Sequence, residues 1–345
     1  MIIITGTKYE AVLKEANHRK ILFPEYGKNR TLLMDFVSFL EGDEVIVTAS
    51  LELIDLLLMN FRGDENRIVY SNTGGSVTFN EAYGLRKYLD FDLRGRENAN
   101  TSKVSVLFVE GKTDSKFFKA AYKKVFGFRE SRSRRKAREV PENLKPMECL
   151  FERDNYELVV KNGSYIAIIP SEGNSGVIRN LRNFLRAMEV FGFSVNKIGL
   201  AIDMDDSKEH VMESITGKLS PFEYKKSGDK FLFGSTIIIP LLIGTEIELN
   251  PCIEWQKPAI EDFMLAVLQA DGTLEKLERA INILCIDLRR KLKPKEVIYL
   301  AMAAKKFWGN LEGFYEMMVM RTPRWKMEKI LKRGGIYEKM REVIP

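Results

Sequence analysis

The chain is poor in histidine, glutamine and cysteine, and each shortage excludes a class of chemistry. Only His18 and His210 occur among 345 residues. A histidine-rich zinc or iron centre is therefore excluded, and a Ser-His-Asp or Cys-His apparatus has to use one of the two. Neither stands beside a nucleophile in sequence, and both read as surface or cap residues. Cys149, Cys252 and Cys285 are odd in number and widely spaced, which fits neither a disulfide framework nor a zinc site; they read as buried thiols. Glutamine occurs only at Gln256 and Gln269 while Lys and Glu abound, a balance common in hyperthermophiles. No apolar run reaches the roughly 18 residues of a membrane span. The N-terminus, MIIITGTKYE, reads as a strand and lacks the basic region and cleavage site of a signal peptide. These absences predict a cytoplasmic protein without a membrane partner. Any metal it uses is held by oxygen ligands, hence Mg²⁺ or Mn²⁺.

What is present points to a globular protein of two or three domains, with 45% hydrophobic and 30% charged residues. The net charge is +6, and the excess is uneven. In Phe128 to Arg138, FRESRSRRKAR, the basic residues Arg129, Arg132, Arg134, Arg135, Lys136 and Arg138 face Glu130 alone. Such a run suits phosphate contacts with release of counterions, and equally a solvated loop. Near the C-terminus Arg321, Arg324, Lys326, Lys329, Lys332 and Arg333 surround Trp325, either extending such a surface or forming a solvated helix face.

Apolar periodicity divides the chain into three parts. Residues 1–100 alternate short strands and helices, including a helix from Lys8 to His18 and a hairpin around Gly74-Gly75, and end in a polar linker, Arg94 to Ser102. Residues 103–250 read as a second α/β domain with a mostly parallel sheet flanked by helices and right-handed crossovers. In it Asn162-Gly163 marks a hairpin turn. Residues 257–345 are helical.

The chemistry concentrates where apolar strands end. Val104 to Val109 runs into Glu110-Gly111, and Ile198 to Ile202 delivers Asp203, Asp205 and Asp206. Carboxylates at the carboxyl ends of buried parallel strands stand where open α/β sheets place ligands, and several at one edge repel unless a cation lies among them. Asp114 reads as the N-cap of the following helix, or as a further ligand. Gly173 and Gly176 either present N–H groups to a phosphate or close a βα turn. After the sheet, Glu246, Glu248, Glu261 and Asp262 are further acids. Glu261 and Asp262 open a helix after Pro258, where acids in a first turn favour the helix dipole.

The order VEGKTD…FF, one βα unit, then IDMD resembles the Toprim domain of topoisomerases, DnaG-type primases and related nucleases, over about 140 residues. The VEGKTD form is nearest to the nuclease branch, the overcoming-lysogenization-defect family. That resemblance implies that Glu110, Asp203 and Asp205 are the catalytic carboxylates and bind Mg²⁺, with Glu261 and Asp114 as further ligands. It implies nucleic acid as substrate, contacted by the basic run and by Lys112. Residues 1–100, in ILFPEYG, VIVTASLELIDLLL and FNEAYGLRKYLDFDLRG, resemble the C-terminal half of the ABC-type ATPase domain found ahead of such nucleases. Pro24 and Ala49 replace its magnesium-site Asp and switch His, and no phosphate loop is present. The lobe is expected to lack ATPase activity and to act as a scaffold or dimerisation domain, with the helical C-terminal region as the other route to a homo-oligomer. The expected activity is Mg²⁺-dependent phosphodiester cleavage; the alternative is a non-catalytic nucleic-acid-binding or scaffold protein.

Overall fold

A computed structural model describes residues 1–5, 20–22, 24, 30–48, 50–61, 63, 65–70, 75–85, 103–131, 156–204, 207–244, 250–254 and 259–345. The chain separates into two compact units, one of residues 1–101, 139–153 and 181–194, the other of 102–138, 154–180 and 195–345.

The first unit is built from β1 (Ile2–Thr5), β2 (Ile21–Leu22), α1 (Arg30–Ser38), β3 (Val45–Val47), α2 (Leu51–Asn60), β4 (Arg67–Tyr70), β5 (Ser76–Thr78) and α3 (Phe79–Gly84). Its sheet has the order β2-β3-β1-β4-β5. All neighbours are parallel except the β4–β5 hairpin, as the alternation of strands and helices predicts. Local signals set the helix starts. Ser50 accepts the Leu53 N–H to cap α2, and Thr78 and Glu81 form a capping box on α3. The expected helix Lys8 to His18 and the linker Arg94 to Ser102 lie outside the described residues.

The second unit begins with β6 (Val104–Val109), α4 (Lys112–Phe126), β7 (Arg129–Glu130), β8 (Glu157–Lys161) and β9 (Ser164–Pro170). It continues through the start of α5 (Asn174–Phe191), whose residues from Leu181 on belong to the first unit, then β10 (Lys197–Asp203), α6 (Lys208–Leu219), β11 (Lys225–Ser227), β12 (Lys230–Phe233) and β13 (Thr236–Ile243). Six helices follow: α7 (Ile260–Ala270), α8 (Thr273–Asp287), α9 (Pro294–Ala304), α10 (Leu311–Arg321), α11 (Arg324–Arg333) and α12 (Tyr337–Val343). The unit is the mixed α/β fold expected, with a helical C-terminal region. The eight strands are ordered β11-β12-β13-β10-β6-β9-β8-β7. The central β13, β10, β6 and β9 are parallel, and the antiparallel strands are confined to the edges. Every residue of β6 is buried, as a parallel strand covered on both faces requires. The β8–β9 hairpin turns at Asn162 and Gly163, with φ 50° and 75°.

One face of this sheet, carrying Leu107, Ile166, Ala201 and Leu241, shares a core with Phe118 and Tyr122 of α4. The C-terminal helices pack into that same core through Phe263, Val297, Phe314, Leu331 and Met340. Gly199 in β10 makes the closest approach possible, because a Cβ there meets Leu107 Cδ1 at 2.6 Å and Val343 Cγ2 at 2.9 Å. Right-handed crossovers put α6 and the start of α5 on the opposite face, with Val177, Val211 and Ile215 buried.

A buried charge cluster fastens α10 to the sheet edge. Lys119 of α4, only 2% exposed, lies 2.8 Å from Glu316 of α10 and 3.3 Å from the equally buried Glu157 of β8. Lys116 joins at 2.7 Å from Glu157, and Lys123 at 3.6 Å from Glu130 of β7. Burial lowers the Lys119 ammonium, but the hydrogen bond to Glu316 and the charges of Glu157, Glu316 and Glu130 outweigh it and hold the group above its ordinary value. Removing one partner of a buried pair strands the other. Lys119→Met is therefore expected to lower stability by ~3 kcal/mol or more, whereas Lys123→Met, at the cluster's wetter end, costs under ~1 kcal/mol. Urea denaturation of both variants checks this, and equal small losses overturn it.

Candidate functional site

Strands β6 and β10 are hydrogen-bonded neighbours whose chain leaves in opposite directions: from β6 through α4 towards β9, from β10 through α6 towards β13. Such a switch in strand order opens a crevice at the carboxyl ends of the strands. Pairing between the two runs from Lys197↔Ser105 to Leu200↔Phe108 and stops. Beyond it, Glu110 reaches across the gap, and its Oε1 accepts the Asp203 backbone N–H at 2.8 Å. The Glu110 carbonyl accepts the Gly173 N–H, also at 2.8 Å, which ties the Ser171 to Gly176 turn to the same crevice. That turn is tight: a Cβ on Gly176 meets the Ser171 carbonyl oxygen at 1.5 Å. Glycine is required there, and the Gly173 N–H serves the turn, one of the two roles open to it.

Asp114 is buried in the first turn of α4. It is not the N-cap; Gly111 occupies that position, and Asp114, at N3, accepts the Gly111 N–H at 2.7 Å. Two further carboxylates come from α7. Asp262 is spent on the helix, accepting the Ala259 N–H at 3.0 Å, while Glu261 pairs with Lys295 of α9 at 3.2 Å. Tyr315 of α10 is fully buried, and its hydroxyl finds no hydrogen-bond partner among the described residues. Its electrostatic neighbours are Glu261, Asp114 and Asp203. Neither Lys295 nor Tyr315 is marked in the sequence, since both arrive from helices about 200 residues downstream of Glu110.

The electrostatics follow from burial and from carboxylates of β6, α4 and α7 within reach of one another's charge. Burial pushes Asp114 up to about 7, opposed by the Gly111 N–H and Lys295 and reinforced by Glu110 and Glu261. Burial holds the Tyr315 phenol well above its ordinary range, with the same acids adding to the effect. Glu261 raises the Lys295 ammonium.

Of the other expected site residues, Lys112 is exposed in the first turn of α4. Asp205, Glu246, Glu248 and the basic residues Arg132, Arg134, Arg135, Lys136 and Arg138 lie outside the described residues. Arg129 does not stand beside the carboxylates. It is in edge strand β7, level with Val160 and, through Tyr165, with Val104 at the opposite end of β6. Strand geometry puts it roughly 25 Å from Glu110. His210 is exposed in the first turn of α6, as a cap-region residue should be. Cys252 and Cys285 are half-buried free thiols, not core residues. Among the described residues no group of three His, Cys, Asp or Glu side chains is close enough to hold a metal ion, and no helix is long and apolar enough to cross a membrane.

Fold and site together define an α/β protein with an acidic crevice at the switch point of a parallel sheet. The architecture is similar to that of hypothetical protein PH0156 from Pyrococcus horikoshii OT3, with a TM-score of 0.59 and 23% identity over 70% of this chain and 100% of that one. Uncharacterized protein MJECL12 of Methanocaldococcus jannaschii is 28% identical over 229 residues, 63% of this chain and 89% of that protein. Residues 104–333 match the family "Protein of unknown function (DUF3226)", and the chain belongs to that family. The match begins with β6, so both strand ends of the crevice, Glu261, Lys295 and Tyr315 lie inside it.

Asp114 makes stability depend on pH. Its folded value of about 7 lies above the roughly 3.9 of an unfolded Asp. Its contribution is complete below pH ~4 and is lost as pH rises through about 7. Asp114→Asn keeps an acceptor for Gly111 and removes the titration. In a chelator-containing buffer, wild type should lose on the order of 3 kcal/mol more than the variant between pH 4 and 8. Parallel pH profiles in chemical denaturation would rule this out.

Proposed function

We propose that the protein is a Mg²⁺-dependent phosphoryl-transfer enzyme of the Toprim class that cleaves phosphodiester bonds in nucleic acid, in the cytoplasm. The observation that carries this reading is Glu110 and Asp203 ending adjacent parallel strands where they part, joined by one hydrogen bond. The residues fit a hard divalent cation in kind, because the donors are carboxylate oxygens; the nearby Asp114 is raised chiefly by burial, with the charges of Glu110 and Glu261 adding to it. Glu110 and Asp203 would hold the cation, with Asp205 as the second acid of the Asp-Met-Asp sequence.

Bound Mg²⁺ supplies charge that offsets the scissile phosphate and lowers the pKa of an attacking water. The protein's own part is positional. The Asp203 N–H fixes the Glu110 carboxylate at the crevice, and Lys295 balances Glu261. The N-terminal unit has no phosphate loop and serves as a scaffold or dimerisation element rather than an ATPase.

Cleavage of plasmid, single-stranded DNA and RNA with Mg²⁺ or Mn²⁺ should fall roughly 100-fold or more in Glu110→Gln and in Asp203→Asn. Equal cleavage by wild type and variants sinks the catalytic reading. So does an absence of cleavage from any of them despite tight nucleic-acid binding, the outcome a binding or scaffold protein gives.

A further inference from the structure

The basic stretch near the C-terminus has a face shaped for one partner. From Arg321 to Arg333 six basic residues stand against Glu328 alone, net +5 in a chain whose total is +6. The inner face of α11, Met327, Ile330 and Leu331, is buried. Three of its cations are already engaged: Lys326 donates to the Ala270 carbonyl at 2.6 Å, Arg324 to Glu328 at 3.0 Å, and Lys332 lies over the Tyr337 ring at 4.8 Å. On the outer face Trp325, Lys329 and Arg333 follow at four-residue steps, about 6 Å apart along the axis, and all three are exposed. Trp325 is 64% exposed, and Arg321, also exposed, ends α10 one step earlier.

A single exposed indole is ordinary. An indole leading a row of cations on one stripe matches what a single strand of nucleic acid uses, with bases stacked on the ring and phosphates met by ammonium and guanidinium groups. The stripe is also separate from the acidic crevice. Lys124 of α4 donates to the Met320 carbonyl, so α11 begins about ten α4 residues, or ~15 Å, beyond Asp114. There the crevice's negative charge is largely screened.

We propose that the outer face of α11 binds single-stranded nucleic acid, with Trp325 as the stacking platform and Lys329 and Arg333 as phosphate contacts. This surface needs neither a metal nor the crevice.

The test uses the full chain carrying Glu110→Gln, in EDTA, titrated with an oligothymidylate of about 20 nucleotides. Intrinsic fluorescence and the anisotropy of the labelled strand are read. Binding should quench tryptophan emission. Trp325→Ala should abolish most of the quenching and weaken affinity roughly 5- to 100-fold. Trp308→Ala, at an indole 89% exposed, should leave affinity unchanged. Lys329→Gln with Arg333→Gln should reduce the slope of log affinity against log salt by about 1.4. These side chains are exposed, and thermal unfolding of each variant verifies the fold. Unchanged affinity and slope overturn the proposal, as does no binding to the strand at all. Quenching by phosphatidylserine vesicles and not by the oligothymidylate also overturns it, in favour of a membrane surface. The cleavage reading stands or falls separately, on Glu110 and Asp203 in Mg²⁺.

Discussion

Two neighbouring parallel strands cannot send their next helices to opposite faces of a sheet without parting at their carboxyl ends. That constraint, at β6 and β10, governs the second unit. It leaves the Asp203 N–H without a strand partner on the β6 side, and the Glu110 side chain takes the place of the missing ladder bond. A backbone donor at this depth needs an acceptor, so the carboxylate is held by the fold whatever else it does. The same parting aligns the first turn of α4 with the crevice and brings Asp114 beside it. The acids are thus gathered by topology, and Asp114 is raised chiefly by its burial, with the charges of Glu110 and Glu261 adding to it.

Gathering them has a cost that the C-terminal helices share. Lys295 is the cation paired to Glu261, and Tyr315 places a buried phenol near Asp114, Glu261 and Asp203. Those helices belong to the unit's core, since Phe263, Phe314 and Met340 pack in the same cluster as the sheet. The Tyr122 hydroxyl donates to the Met340 carbonyl at 3.0 Å. The region that reads in sequence as a helical appendage therefore forms one wall of the crevice.

Much of this is legible in the sequence. The run Val104 to Val109 is apolar at every position but Ser105, which only a strand covered on both faces tolerates. The abrupt Glu110 and Asp203 after such runs marked the crevice's two ends. Asn162-Gly163 specified its hairpin through residues that accept positive φ. What stayed hidden had no local signal. The β11–β12 ribbon, within EYKKSGDKFLF, lies at a sheet edge and is too polar to show alternation. Asp114 resembled an N-cap because its carboxylate does cap the helix, but from N3, reaching back to Gly111. Arg129 looked like part of a loop since its strand is only two residues long. Lys295 and Tyr315 reach the site through tertiary packing across the length of the unit, which periodicity within one helix does not encode.

Helix α10 shows how closely fold and site are coupled. Consecutive residues do different work: Tyr315 neighbours the carboxylates, while Glu316 closes the lysine cluster on Lys119 at 2.8 Å. Further along, Met318 is buried in the core, and the Met320 carbonyl receives Lys124. Residues one position apart point about 100° apart around a helix. A slip or rotation of α10 by a single residue would therefore remove Glu316 from a buried ammonium and Tyr315 from the acids together. The ion cluster is costly to break because its charges are out of water. That cost fixes the register of α10 against α4, and so the position of the phenol over the crevice. A charge network with no part in the chemistry thereby sets the geometry of one wall of the site.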